Sequence, residues 1–206
     1  MEDFRHEFKG SEPVRLILKH TYPLIPVPLH VPNVEYLHAT YSREQMRKLL
    51  QRSDCFVFPT RGEGFGLPPS EAMTTGLPTI VTTWSGPVGY SDPEDTLELT
   101  YTMQRSKDFD GIYKDYFEPG ETSGNWAEPS LEQLRSAMRW CFEHRDQAKA
   151  IGQHVAERIK KYWTWEQKVG ELATAVGRCL LRAASGGWLT TDERQLRSRP
   201  VKREPE

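Results

Sequence analysis

The sequence predicts an α/β protein, a Rossmann-like parallel sheet flanked by helices, with further helices at its C-terminal end. Three observations predict it. Residues 54–82 read as strand, glycine loop, short helix and strand. Two short apolar runs and an amphipathic helix precede that unit. After it, apolar residues recur at helical spacing over most of 130–181. Strands alternating with helices favour parallel pairing, since a parallel connection needs a crossover.

Phe4 and Phe8 stand four apart and share one face of a helix end. Residues 14–19 form an apolar-rich strand. Residues 20–32 carry Pro23, Pro26, Pro28 and Pro32 and must be an extended loop, because proline has no N–H for a helix or ladder. Residues 34–37 are a short strand. Ser42 is an N-cap, and Gln45 three residues on completes a capping box. Met46, Leu49 and Leu50 then supply the buried face of a helix over 43–52.

The central unit follows. Residues 54–58 suffice for one buried strand. Gly62, Gly64 and Gly66 break the run into a tight loop. Pro68 and Pro69 suit the first turn of a helix, where a missing N–H costs nothing. Gly76 stops that helix, and residues 78–82 resume an apolar strand.

Trp84 to Pro87 makes a turn after the strand end. Residues 96–102 read as one further strand. Residues 106–125 show no period and read as one long loop, a feature that is often functional inside a compact domain. Pro129 and Ser130 open a helix on Leu131, Leu134, Ala137, Met138 and Cys141. A second runs over 146–162 on Ala148, Ile151, Val155 and Ile159. The Trp-Thr-Trp run at 163–165 interrupts it, and a third covers 165–181 on Val169, Leu172, Ala173, Val176 and Leu180. The polar remainder, with acids and bases interleaved, reads as disordered. The expected organisation is one folded domain over 1–183 and a tail over 184–206.

Composition excludes several classes. The net charge of −2, with 27% charged residues, gives no general attraction to nucleic acid or membrane. The basic tail is interleaved with acids and reads as solvated. The three cysteines, Cys55, Cys141 and Cys179, are widely spaced and odd in number, which favours reduced, cytoplasmic thiols over a disulfide framework. Cysteine and histidine show no metal-ligand spacing. No apolar run approaches the ~20 residues of a transmembrane helix. The first ten residues have no apolar signal core.

The glycine loop is where an anion or sugar would sit. In a parallel sheet, ligands collect beyond the carboxyl ends of the strands. Glycine lets a backbone approach a ligand closely. N–H groups at Gly66, Leu67 and the helix start favour a phosphate. Glu63 and Glu71 would repel a diphosphate, so they suit neutral hydroxyls better, a sugar at Glu63 and a ribose at Glu71.

The run EGFGLPPSE over 63–71 has two glutamates separated by seven residues. With Phe58 and Pro59 before it, and Ala72, Met73, Gly76 and Pro78 after it, it resembles the E-x7-E signature of family 4 retaining glycosyltransferases of the GT-B type. The resemblance is specific over 54–82 and looser over the rest of 4–180. It implies one GT-B half-domain that binds a nucleotide-diphosphate sugar and moves a hexose to a hydroxyl of a sugar, lipid or protein acceptor. It implies no metal and no cofactor. Glu63 is then the catalytic candidate, orienting the sugar ring together with Gly64, Phe65 and Gly66. Gly66, Leu67 and Lys19 are the candidates for the diphosphate. Glu71 and Thr40, with Ala39 and Tyr41 beside it, are the candidates for the nucleoside. Trp84 and residues 126–128 read as core or interface packing rather than as an acceptor wall.

The same resemblance exposes gaps. The Gly-Arg strand and the nearby Lys-Gly whose cations hold the diphosphate in that family have no counterpart upstream of Val14. The acceptor domain with its catalytic histidine has none either. The chain therefore reads as a fragment, a remnant or one part of a split enzyme, inactive without an N-terminal GT-B domain or partner chain. The alternative is a non-catalytic nucleotide-sugar-binding subunit or degenerate remnant. A dehydrogenase domain would need G-x-G-x-x-G after its first strand and an acid about 20 residues later, and residues 14–32 have neither.

Overall fold

The structure, a computed structural model, describes residues 2–21, 31–106 and 124–184. They fall into two units, Met1–Lys161 and Tyr162–Glu206. The first is an α/β domain of the Rossmann-like kind. Its elements are α1 (Glu2–Glu7), β1 (Leu16–His20), β2 (Val34–His38), α2 (Arg43–Gln51), β3 (Phe56–Phe58), α3 (Leu67–Thr74), β4 (Thr79–Thr82), β5 (Leu97–Leu99), β6 (Tyr101–Arg105), β7 (Asn125–Pro129), α4 (Leu131–Glu143) and α5 (Arg145–Tyr162). In the second, α6 (Trp165–Ala184) follows Thr164, whose hydroxyl accepts from Gln167 N at 3.4 Å while its N–H donates to the Gln167 side chain at 3.1 Å.

The parallel strands form two ladders. β1 pairs with β2, Leu16 opposite Val34 and His20 opposite His38. β3, β4 and β5 form the other in sequence order, Phe56 opposite Thr79 and Ile80 opposite Leu97. β4 lies in the middle and is wholly buried, as its apolar TIVT run requires. One face of this sheet packs Ile80 and Leu99 with Leu134 and Cys141 of α4 and Ala148 of α5. Leu50 of α2, Ala72 of α3 and Leu77 form a separate cluster against Phe56. Successive strand residues point to opposite faces, so Phe56 and Val57 serve different layers.

Local chemistry fixes the helices as the sequence predicts. Ser42 accepts from Gln45 N and Gln45 returns a bond to Ser42 N at 2.8 Å, so the capping box is formed. Ser130 caps α4 by accepting from Gln133 N. Gly76, at φ 85°, follows α3. α1 packs on α4, and just beyond its end Phe8 meets Phe142, ring centroids 5.7 Å apart, while Arg139 reaches both Glu7 and Glu12. Just before β5, Asp95 is 2% exposed, and Arg158 of α5 donates to its Oδ2 at 2.6 Å and to Tyr90 O at 2.7 Å.

The structure corrects the reading of 96–125. The single strand expected over 96–102 breaks at Thr100. Gln133 Oε1 accepts from both Thr100 N and Thr100 Oγ1, and Thr100 O accepts from Ser130 N at 2.8 Å, so this residue leaves the ladder. β5 on one side joins the parallel sheet. β6 on the other forms an antiparallel pair with β7, Tyr101 opposite Pro129 and Arg105 opposite Asn125. The expected loop of 106–125 therefore ends in a strand, and most of it lies outside the described residues. Most of the expected tail does too. The first strand is shifted to Leu16–His20, and β3 is shorter than the expected 54–58.

The cysteines also differ from their spacing in the chain. Cys55 and Cys141 meet in the core, Sγ to Sγ 3.8 Å, both as free thiols. The Cys55 thiol donates, so its hydrogen bond to Cys141 and its burial push its pKa up, while the same bond draws that of Cys141 down.

Candidate functional site

Beyond the carboxyl ends of β3 and β4 the chain builds one connected loop system. Gly66 is the N-cap of α3, at φ 81° and ψ 60°. A side chain rarely adopts that backbone, and a Cβ there would lie 2.6 Å from the Tyr90 hydroxyl. The cap has no side-chain hydrogen bond, and Pro68 and Pro69 remove two N–H groups from the first turn. The N–H groups of Gly64, Gly66 and Leu67 have no partner among the described residues. They are the donors left at the positive end of the helix.

The loop is held from behind. The Tyr90 hydroxyl, in a side chain 1% exposed, donates to Gly66 O at 2.8 Å. Burial first, and then the charge of Glu63, push its pKa well above the usual tyrosine value. Ser85 Oγ accepts from Glu63 N at 2.8 Å and donates to Glu63 O at 2.9 Å, and Gly86 N adds a bond to Glu63 O at 3.0 Å. Ser85 makes these bonds at φ 57°, an uncommon backbone for a residue with a Cβ. Gly86 sits so close that a Cβ on it would lie 2.6 Å from Phe65 Cα and 2.7 Å from Gly64 O.

The expected residues fall into two groups. Glu63, Gly64, Phe65, Gly66, Leu67 and Glu71 share the loop and its helix. Glu63 is half-buried, with its carboxylate 3.4 Å from the Thr60 hydroxyl. Phe65 is exposed and lies 5.2 Å from the Tyr90 ring. Glu71 is exposed on α3, one turn beyond the prolines. Lys19 and Thr40 stand instead at the ends of β1 and β2. Lys19 Nζ donates to Thr21 Oγ1 at 2.9 Å and lies 5.6 Å from the centre of the Tyr41 ring. Thr40 is exposed beside Ala39, whose N–H donates to His20 O at 3.3 Å.

Beside the loop opens a groove of about 630 Å³. Arg61, Trp84, Ser85, Trp126, Glu128 and Leu131 line it, with others. Alternation along β7 buries Ala127 and Pro129 and leaves Trp126 and Glu128 less buried, lining the groove. Arg61 makes a two-pronged ion pair with Glu128, and its guanidinium lies 4.8 Å from the Trp126 ring centre. The Trp84 ring lies 5.5 Å from that of Tyr101. Sequence reasoning gave Trp84 and 126–128 to packing and did not single out Arg61, Ser85 or Tyr90. The signal present was the i, i+2 spacing of Trp126 and Glu128, which marks one strand face. Tyr90 and Ser85 carry no pattern of their own. Among the described residues no group of three His, Cys, Asp or Glu could hold a metal ion, and no helix is long and apolar enough to cross a membrane.

The fold is a parallel α/β unit of Rossmann-like kind with this loop at the carboxyl edge of its sheet, where such folds collect ligands. The chain belongs to a family described as family 4 glycosyltransferases in conflict systems, whose model matches residues 29–172. The match spans the loop, the groove and Thr40, and it begins after Lys19. A search of curated proteins finds no match to this chain.

Proposed function

We propose that this domain binds a nucleotide-diphosphate sugar at residues 63–71 and serves retaining transfer of a hexose to a hydroxyl acceptor. The observation that carries the reading is the left-handed, uncapped start of α3. Among the described residues it leaves the N–H groups of Gly64, Gly66 and Leu67 without a partner, in a stretch that Glu63 and Glu71 bracket along the chain. The amides suit a diphosphate, and the acids suit the hydroxyls on either side of it. The departing diphosphate is then stabilised by backbone dipoles already in place, an electrostatic role. Lys19 is the cation assigned to that diphosphate, and Thr40 is assigned to the nucleoside. A second domain or chain supplies the facing wall that excludes water and completes the acceptor geometry.

Calorimetric titration of the purified chain with UDP, GDP and ADP and their sugar conjugates tests this. Binding in the millimolar range is expected for at least one base. Amide donors to an anion contribute about 1.5–3 kcal/mol each at most, and much of that offsets the cost of association. Absence of heat with every nucleotide, for a chain shown to be folded, overturns the reading.

A further inference from the structure

The groove beside the loop has a composition the donor does not need. We propose that it is a carbohydrate subsite for the acceptor, in which a neutral pyranoside stacks on Trp84 and hydrogen-bonds to Glu128 and Arg61. The inference rests on the donor reading for the word acceptor and on the groove alone for carbohydrate.

Charge selects the class of ligand. Arg61 and Glu128 neutralise one another in a two-pronged pair through Nε and Nη2. A phosphate or carboxylate entering here would meet Glu128 as well as Arg61, so an anion gains little. The pair still offers hydrogen bonds. Arg61 Nη1 is not used in it, and each carboxylate oxygen keeps a lone pair. A donor and an acceptor side by side match a pair of vicinal hydroxyls.

The aromatic face of Trp84 makes the second half of the case. The C–H face of a pyranose is apolar, and an indole covers it without demanding a charge. Trp84 is steadied by Tyr101 and Arg61 by Trp126. Side chains fixed before binding lose little freedom when the ligand arrives. The open, mixed polar and aromatic character of the groove suits a sugar better than a buried apolar ligand.

Position makes the occupant an acceptor. Ser85 lines the groove, and its hydroxyl holds both backbone groups of Glu63. A hydroxyl presented at the Ser85 end of the groove therefore stands next to the residue assigned to the donor sugar. The parts come from the segments that follow β3 and β4, from β7 and from α4, so one fold places them together.

The test uses the full chain and a panel of methyl glycosides, α and β, of glucose, galactose, mannose and N-acetylglucosamine, each with and without UDP. Saturation-transfer NMR reads contact, and intrinsic tryptophan fluorescence reads the groove. At least one glycoside is expected to bind saturably, and UDP is not expected to displace it. Trp84→Ala should weaken that glycoside by about tenfold, the ~1.4 kcal/mol of one lost aromatic contact, with UDP binding unchanged. Glu128→Gln, which keeps the shape of a partly buried side chain, is the second variant and should weaken the glycoside too. A chain that binds UDP but no glycoside sinks the subsite and spares the donor reading. Glycoside binding with no affinity for any nucleotide supports the carbohydrate subsite and sinks the donor reading. Displacement of the glycoside by UDP, or equal loss of both ligands in Trp84→Ala, also overturns a separate acceptor groove.

Discussion

The Tyr90 hydroxyl donates to the Gly66 carbonyl across 24 residues of chain, at 2.8 Å and out of reach of water. The carbonyl belongs to the left-handed residue that opens α3, so this bond holds the Gly66–Leu67 peptide plane and with it the direction of the Leu67 N–H. Tyr90→Phe keeps the ring and removes the bond. A loss of about 1–2 kcal/mol in unfolding free energy is expected, together with weaker nucleotide binding. Chemical denaturation and calorimetry check the two parts.

The same residue makes stability depend on alkaline pH. Burial, with a smaller contribution from Glu63, raises its pKa above the value of 10.0 for a free tyrosine. Between the two values the unfolded chain releases the proton and the native chain keeps it. Stability therefore falls as pH rises above about 10. Tyr90→Phe removes that contribution, so its denaturation midpoint should decline less steeply there than that of the unaltered chain.

A pair of glycines separates folding from binding. At Gly86 a Cβ would meet the backbone of Gly64 and Phe65 at under 3 Å, and backbone cannot step aside as a flexible side chain can. At Gly64 nothing lies within 4 Å. Gly86→Ala should cost about 1–3 kcal/mol, as overpacking does, and should displace the loop. Gly64→Ala should leave the thermal midpoint in place yet weaken the nucleotide diphosphate, because the new methyl stands where the ligand approaches. If Gly64→Ala binds as well as the unaltered chain, the backbone of the loop is not the contact.

How much of this was legible in the sequence follows from the range of each interaction. Ser42 and Gln45 act over three residues, as do Ser130 and Gln133, so caps and helices could be read from the chain. The glycine loop and its prolines are likewise local. Thr100 was misread because the group that takes it out of the strand, Gln133, lies 33 residues away. The Cys55 and Cys141 contact spans 86 residues, and the Arg61 and Glu128 pair spans 67. No local pattern announces such partners. Tyr90 was missed for the same reason. It sits in an irregular stretch with no periodicity, and only the fold brings its hydroxyl to Gly66.

Arg158 and Asp95 test the support behind the site. Asp95 is buried and accepts from Arg158, which also donates to Tyr90 O, so one guanidinium ties α5 to the segment that carries the Tyr90 anchor. Arg158→Met fills similar volume but leaves the buried carboxylate with only the Thr96 hydroxyl, at 3.2 Å, and His154 Nδ1, at 3.7 Å. Breaking such a pair costs about 3–5 kcal/mol. Adding Asp95→Asn removes the stranded charge and should restore part of the loss. A double variant no more stable than Arg158→Met alone would show that the ion pair is not what the site leans on. Urea denaturation of the single and double variants makes the comparison.

The division of roles between the two glutamates is the sharpest test of the donor site. Their side chains are separable from the fold. Glu63 makes its three anchoring bonds through its backbone N and O, so truncating its side chain leaves Ser85 and Gly86 in place. Glu71 is exposed within α3, where alanine is the best helix former. Both Glu63→Ala and Glu71→Ala should therefore fold with unchanged thermal midpoints. If Glu71 accepts the ribose hydroxyls, its loss weakens a nucleoside diphosphate and its sugar conjugate alike. Each should lose about 1.5–3 kcal/mol, a charge-assisted bond. If Glu63 orients the sugar ring, its loss weakens only the conjugate, because the bare diphosphate has no ring to hold. Calorimetry with UDP and with a UDP-sugar on both variants gives four numbers. Equal losses for both ligands in both variants would mean that the acids act through the loop's general field, and the assignment of ring to Glu63 and ribose to Glu71 would fall.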